Sequence, residues 1–131
     1  GGKADRLHGP PIEVAGTVAC LSDGAYVCEG PMMHGYRGNL GPTAVLAIED
    51  GHVIVNSFNQ QTFDPQVIRS QGLEPRRAKS VVVKSALHYK AAFLPLAAMV
   101  VEISAEGLSR ADFWHFPFTR VRRPIYPLDP A

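Results

Sequence analysis

The chain has 131 residues, 46% of them hydrophobic, and a formal net charge of +1, enough apolar surface for one core of ordinary domain size. So balanced a charge supplies no field to draw it onto nucleic acid or an anionic membrane, and its longest apolar stretch, 91–101, is broken by Pro95 and falls short of the roughly 20 residues a membrane-spanning helix needs. The amino terminus carries no apolar run of the kind found in secretion signals, so a cytoplasmic location is expected.

Along the chain, the first half reads as strands and turns. Residues 12–21, with Val14, Thr17 and Val18, predict a strand; Asp23-Gly24 can turn, and Tyr26-Val27 begins a return strand that stops at Gly30-Pro31. Such a hairpin would set Cys20 opposite Cys28 on neighbouring strands. The other reading is two small buried thiols, and their spacing matches neither a disulfide framework nor a zinc site. Residues 30–42 hold four glycines and two prolines and predict a loop. It is either a plain connection or a segment that presents His34, Tyr36 and Arg37 to a ligand or another domain. The strongest local signal comes next: two apolar runs, 43–49 and 52–56, flank Asp50-Gly51, a pair suited to the positive φ of a tight hairpin turn.

The second half changes character. Asp64 as N-cap, Pro65 at the first helical position and Gly72 beyond the end predict a short helix over 65–71, with Val67 and Ile68 facing inward. Residues 78–84 contain Val81-Val82-Val83 and predict a strand covered on both faces. Ser85 can then cap a helix running to about Leu94, where Pro95 stops it. Another apolar strand is expected over 96–103, with Gly107 starting the exit. Ser109 and Asp112 have the spacing of a capping box, so one helical turn is expected over 110–115. Residues 120–131, with three arginines and three prolines, are expected to lie extended as a docking strand. The order of elements predicts an α+β fold, with mixed α/β as the variant: a single domain over 1–131, one β-sheet with amino-terminal hairpins, and two or three short helices in the second half.

Of the five histidines, at positions 8, 34, 52, 88 and 115, none stands in a ligand spacing such as His-Glu-x-x-His, so no local metal site is expected. Ser85 alone among the serines considered as nucleophiles has a histidine close by, three positions on, which on a helix lies on the same side. That makes Lys84, Ser85, His88, Tyr89 and Lys90 the most suggestive segment. The end of a buried strand feeding a helix start collects free backbone N–H groups and would welcome an anion. The plainer reading makes Ser85 an ordinary cap, the lysines solvated charges and His88 a packed side chain.

The same segment carries a resemblance. Val81-Val82-Val83-Lys84-Ser85, then His88-Tyr89-Lys90, Phe93 and Pro95, resemble the carboxy-terminal segment of the MlrC-type (microcystinase C-like) family of metallopeptidases. Further pieces match in order: Gly1-Gly2-Lys3 with His8-Gly9-Pro10-Pro11, Gly41-Pro42-Thr43-Ala44-Val45-Leu46, Gln61 and Asp64, Arg123-Pro124-Ile125, and Pro127-Leu128-Asp129. Asn59 and Lys90 depart from the pattern, where an arginine-rich stretch and an arginine are usual.

The resemblance implies the carboxy-terminal domain of a larger hydrolase in the microcystin-degradation family, whose catalytic metal, zinc, is held by an amino-terminal domain upstream of this chain. It implies a cleft shared with that domain and a peptide or amide substrate. Lys84 and His88 are then the catalytic candidates, and Lys84, Ser85, His88, Lys90, Gln61 and Arg37 the substrate-binding ones; no metal ligand is expected here, and the isolated domain is expected to be inactive. The competing reading is a non-catalytic structural, oligomerisation or interaction domain of the parent protein, with a homo-oligomer as one form.

Overall fold

The structure is a computed structural model and describes residues 10–104 and 113–129. The chain divides into two compact units, Val14–Val101 and the pair of segments Gly1–Glu13 with Glu102–Ala131. Among the described residues it is mostly sheet with a few short helices, consistent with the α+β expectation at that level.

The larger unit contains two sheets where one was expected. Its three-stranded sheet runs β1 (Thr17–Ser22), β4 (Thr43–Ile48), β5 (Gly51–Asn56) in that order, with β4 in the middle and both neighbours antiparallel to it. The central place suits β4, an unbroken apolar and β-branched run whose Val45 is fully buried. The expected hairpin of β4 and β5 is present, but its two-residue loop is Glu49 and Asp50, because Gly51 already pairs with Ile48. Neither Asp50 nor Gly51 takes positive φ, so the turn does not use the freedom for which Asp-Gly was expected.

The first expected hairpin is not formed. β1 pairs with β4, from Thr17 opposite Ala47 to Ser22 opposite Thr43, with a register shift between Val18 and Cys20. β2 (Ala25–Val27) pairs instead with β3 (Arg37–Asn39), a strand inside the segment expected to be loop. Tyr26 explains that choice of partner. Its ring lies across Gly38, where a Cβ would come within 2.2 Å of Cζ, so only a strand offering glycine at that register can pair there. The reversal between β2 and β3 is closed by Cys28 N–H donating to Tyr36 C=O and Gly35 N–H to Cys28 C=O. Met33 and Gly35 there adopt positive φ. Cys20 therefore sits opposite Val45 and Cys28 lies in the core beside the other sheet; both thiols are free.

The core is built from Tyr26, Cys28, Leu40, Phe63 and Val67, with Met32 packed against it. α1 (Gln66–Arg69) supplies Val67, shorter than the expected helix but placed as expected. Asp64 Oδ1 accepts from Gln66 N–H at 2.9 Å, Pro65 follows, and Gly72 takes φ 81° just past the end, as N-cap and C-cap chemistry require. Arg69 then pairs with Glu74 at 2.9 Å, whose carboxylate also accepts from Arg76 N–H at the start of a 3₁₀ turn, Pro75–Arg77.

Two expected strands are absent: 78–84 and the described residues 96–103 form no ladder. Val82 is 87% exposed, Met99 79% and Val101 68%. A β-branched run becomes a strand only where another strand meets its backbone groups, and the ladders of this unit are taken up by β1 to β5. The helix expected over 85–94 shrinks to α2 (Lys90–Phe93), continued by a 3₁₀ turn, Leu94–Leu96, that includes Pro95.

In the smaller unit a 3₁₀ turn, Phe113–His115, stands at the end of the expected helical turn. Gly1-Gly2-Lys3, His8, Gly9, Gly107, Ser109 and Asp112 lie outside the described residues. The carboxy-terminal segment is folded, not extended: Asp129 accepts from Arg123 Nε at 2.5 Å and from Ile125 N–H at 2.7 Å, and donates its own N–H to Ile125 C=O. The intervening prolines, Pro124 and Pro127, follow cis peptide bonds. Carboxylate acceptance by Asp129 supplies the closure that the arginine and proline counts did not suggest.

Candidate functional site

The suggestive segment is a run of turns, not a strand feeding a helix. Ser85 N–H donates to Val83 C=O, Lys90 N–H to Leu87 C=O, and Ser85 Oγ accepts from Tyr89 N–H at 3.2 Å. Ser85 thus closes the local turn, while the helix it was expected to cap begins only at Lys90. The anion site expected from a strand end and helix start has no basis here, since the strand is absent and α2 is four residues long.

What the fold does bring together is Gln61, Ser85 and His88. Gln61 Nε2 donates to Ser85 Oγ at 3.0 Å, and Gln61 Oε1 lies 2.8 Å from His88 Nδ1. Ser85 is half-buried, Gln61 and His88 exposed. Ser85 and His88 share a side of the turn but meet through the glutamine amide and not directly. His88 is not the packed side chain of the plainer reading.

The backbone that carries Gln61 is anchored on both sides. Upstream, Phe58 N–H donates to Leu40 C=O at 2.9 Å; downstream, Phe63 is in the core and Asp64 is fully buried. Asp64 Oδ2 also accepts from Gly30 N–H at 2.7 Å, tying α1 to the β2–β3 hairpin. Opposite Gln61, Tyr89, Ala92 and Phe93 are buried and fix the turn that presents Ser85 and His88.

The other sequence candidates stand apart from this cluster. Lys84 is exposed and makes no hydrogen bond or ion pair among the described residues. Arg37 is exposed on β3, paired through its backbone with Val27. Lys90 lies at the edge of α2 with its Nζ 6.0 Å from the centre of the Tyr89 ring. His34 Nδ1 is 3.1 Å from Glu29 C=O. The tie from Asp64 to Gly30 escaped sequence reasoning, because a 34-residue separation leaves no local pattern.

Burial pushes the Cys28 thiol up, with Asp64 adding to it, and burial likewise raises the Tyr26 hydroxyl. The Arg69 hydrogen bond holds the Glu74 carboxyl down, and the Arg123 hydrogen bond does the same for Asp129. Among the described residues no three His, Cys, Asp or Glu side chains come together in a way that could hold a metal ion. No helix of the described residues is long and apolar enough to cross a membrane.

The chain has counterparts among larger proteins. Microcystinase C from Sphingomonas sp. is 25% identical over all 131 residues, which cover 24% of its length. A Mesorhizobium sp. BNC1 protein of known crystal structure, described as a candidate metallopeptidase, superposes with a TM-score of 0.76 at 32% identity, over 88% of this chain and 23% of its own. The chain therefore spans about a quarter of each relative. The family described as the MlrC C-terminus matches residues 1–120, and the chain belongs to that family.

Proposed function

We propose that residues 1–131 form the carboxy-terminal domain of a zinc-dependent, metallopeptidase-like hydrolase, and that the Gln61, Ser85 and His88 cluster, together with Lys84, the residue before Ser85 in the chain, binds a peptide or amide substrate in a cleft completed by the rest of that protein. The observation that carries the reading is the cluster itself: residues 24 and 27 positions from Gln61 are gathered into one hydrogen-bonded group held by buried neighbours yet open to solvent. Polar groups gathered on a rigid frame and left facing water are the usual makings of a recognition site. The names of the relatives, a microcystinase and a candidate metallopeptidase, support the reaction class.

The described residues do not fit a metal, since no donor set is assembled among them. On this reading zinc is held by the remainder of the parent protein, and the roles of this chain are binding and orientation. Lys84 would hold a substrate carboxylate or a developing oxyanion, a contact for which its exposed ammonium is suited; Lys90 and Arg37 would contact longer substrates.

In a full-length family enzyme, Lys84→Ala and His88→Ala should each lower kcat/KM by about tenfold or more, about 1.4 kcal/mol of transition-state binding, with metal content and Tm near wild type. A fall in Tm with normal turnover by the folded fraction would refute a role in binding.

The second reading, an interaction domain, rests on a different observation. Val81, Val82, Met99, Val100 and Val101 are exposed although their sequence is of the kind found in buried strands. We infer that these runs pack on the remaining three quarters of the parent protein. Both readings hold together if the domain is docked through them. Thermal unfolding of a full-length family enzyme with and without Val82→Lys and Val101→Lys tests this. An unaltered Tm in the double variant would refute docking through these runs.

A further inference from the structure

The amide of Gln61 has a direction, and that direction fixes the chemistry of its two partners. Its Nε2 faces Ser85 Oγ and its Oε1 faces His88 Nδ1. An amide oxygen has no hydrogen to give, so the hydrogen in the second contact belongs to Nδ1. A neutral imidazole that carries its hydrogen on Nδ1 presents a bare lone pair at Nε2. The same reasoning applies to Ser85. Its oxygen accepts from Gln61 Nε2 and again from Tyr89 N–H, which occupies both lone pairs and leaves the hydroxyl hydrogen as the group free to bond elsewhere.

We propose that Gln61 is a positioning residue that sets His88 as a hydrogen-bond acceptor and Ser85 as a donor, and that this pair reads a secondary amide, the N–H of a peptide bond meeting His88 Nε2 and the C=O meeting the Ser85 hydroxyl. The ligand class deepens the peptide- or amide-binding function proposed above and rests on it; the polarity of the three side chains does not. A carboxylate offers no N–H to His88, and an ester offers only acceptors, so both meet one partner of the pair and leave the other unpaired. Only a secondary amide satisfies both members of the pair at once, so it should bind best of the three. Turning the amide over would invert everything: Ser85 would donate to Gln61, His88 would carry its hydrogen on Nε2, and the outward-facing pattern would be lost.

The test is ¹H–¹⁵N correlation spectroscopy of the 131-residue chain with ring-¹⁵N-labelled histidine, at about pH 8.5, above the ordinary histidine range, with His88 assigned by its loss in His88→Gln. Wild type should show the protonated-nitrogen shift at Nδ1 and the lone-pair shift at Nε2. Gln61→Glu keeps an acceptor at the same place and should keep that pattern, whereas Gln61→Leu should move the hydrogen to Nε2. A wild-type spectrum with the hydrogen on Nε2, or one unchanged by Gln61→Leu, would overturn the polarity. N-methylacetamide should then shift the His88 Nε2 resonance by at least twice as much as methyl acetate at equal concentration, with the difference lost in Gln61→Leu. Equal shifts would overturn the amide-reading role. These spectra need no turnover, so they separate failure of the polarity from failure of the hydrolase function, which the kcat/KM of Lys84→Ala decides.

Discussion

Replacing Asp64 by asparagine changes one atom and isolates what a buried carboxyl contributes. Asp64 is 1% exposed, and its two oxygens accept from Gly30 N–H at 2.7 Å and Gln66 N–H at 2.9 Å. Asparagine keeps the shape but has one acceptor oxygen, so its NH₂ must face one of those two N–H groups. The variant leaves one part-buried N–H without its acceptor, a loss of about 1–3 kcal/mol. With an m-value of about 1.5 kcal/mol/M, the urea midpoint should fall by about 0.7–2 M at unchanged slope. The Gly30 or Gln66 amide, whichever loses its acceptor, should also exchange with deuterium much faster than its neighbours. An Asp64→Asn chain that unfolds within about 0.5 kcal/mol of wild type, with both amides still protected, would show that the tie between α1 and the β2–β3 hairpin is not maintained by this side chain.

Gly38→Ala would place a Cβ 2.2 Å from Tyr26 Cζ and should destabilise the chain by about 1–3 kcal/mol, read from thermal unfolding by circular dichroism; a neutral result would mean the ring leaves without cost. Cys28, raised by burial, should resist a thiol-specific disulfide reagent in the native chain and react only after unfolding, whereas half-exposed Cys20 reacts first; equal native rates would contradict its burial. Because its folded value lies above the ordinary 9.0, the stability from neutral Cys28 is complete below that pH and is lost as pH rises through the folded value, so Cys28→Ala should be less sensitive to alkali than wild type. Asp129 is shifted the other way by Arg123: its closure of the carboxy-terminal turn is present above the ordinary 3.8 and fades as pH falls through the lowered value. Asp129→Asn should remove that acid transition in the amide shift of Ile125, and its persistence would refute the assignment.

How far the sequence could be read depended on the range of the interaction. The β4–β5 hairpin and the caps of α1 were legible because their causes lie within a few residues: a short loop between two apolar runs, and Asp64-Pro65 with Gly72 beyond. The turn itself was placed one residue late, since Gly51 had a ladder partner in Ile48 and no need of positive φ. The β1–β2 hairpin was misread for the opposite reason. Asp23-Gly24 satisfies the local rules for a reversal, but the fit of the Tyr26 ring over Gly38 and the longer ladder that β4 offers to β1 decide the pairing, and both are non-local.

The same division runs through the site. Residue chemistry and the family pattern singled out Gln61, Lys84, Ser85 and His88, and the chain does belong to the MlrC C-terminal family. That Gln61 reaches both Ser85 and His88, while Lys84 and Arg37 stand apart, depends on contacts across 24 to 27 residues that no local spacing encodes. The valine runs show the limit from the other side. Their composition determined that they suit a strand, but a strand exists only where backbone partners meet it, and in this unit tertiary structure spends its ladders on β1 to β5 and leaves Val82 and Val101 facing outward.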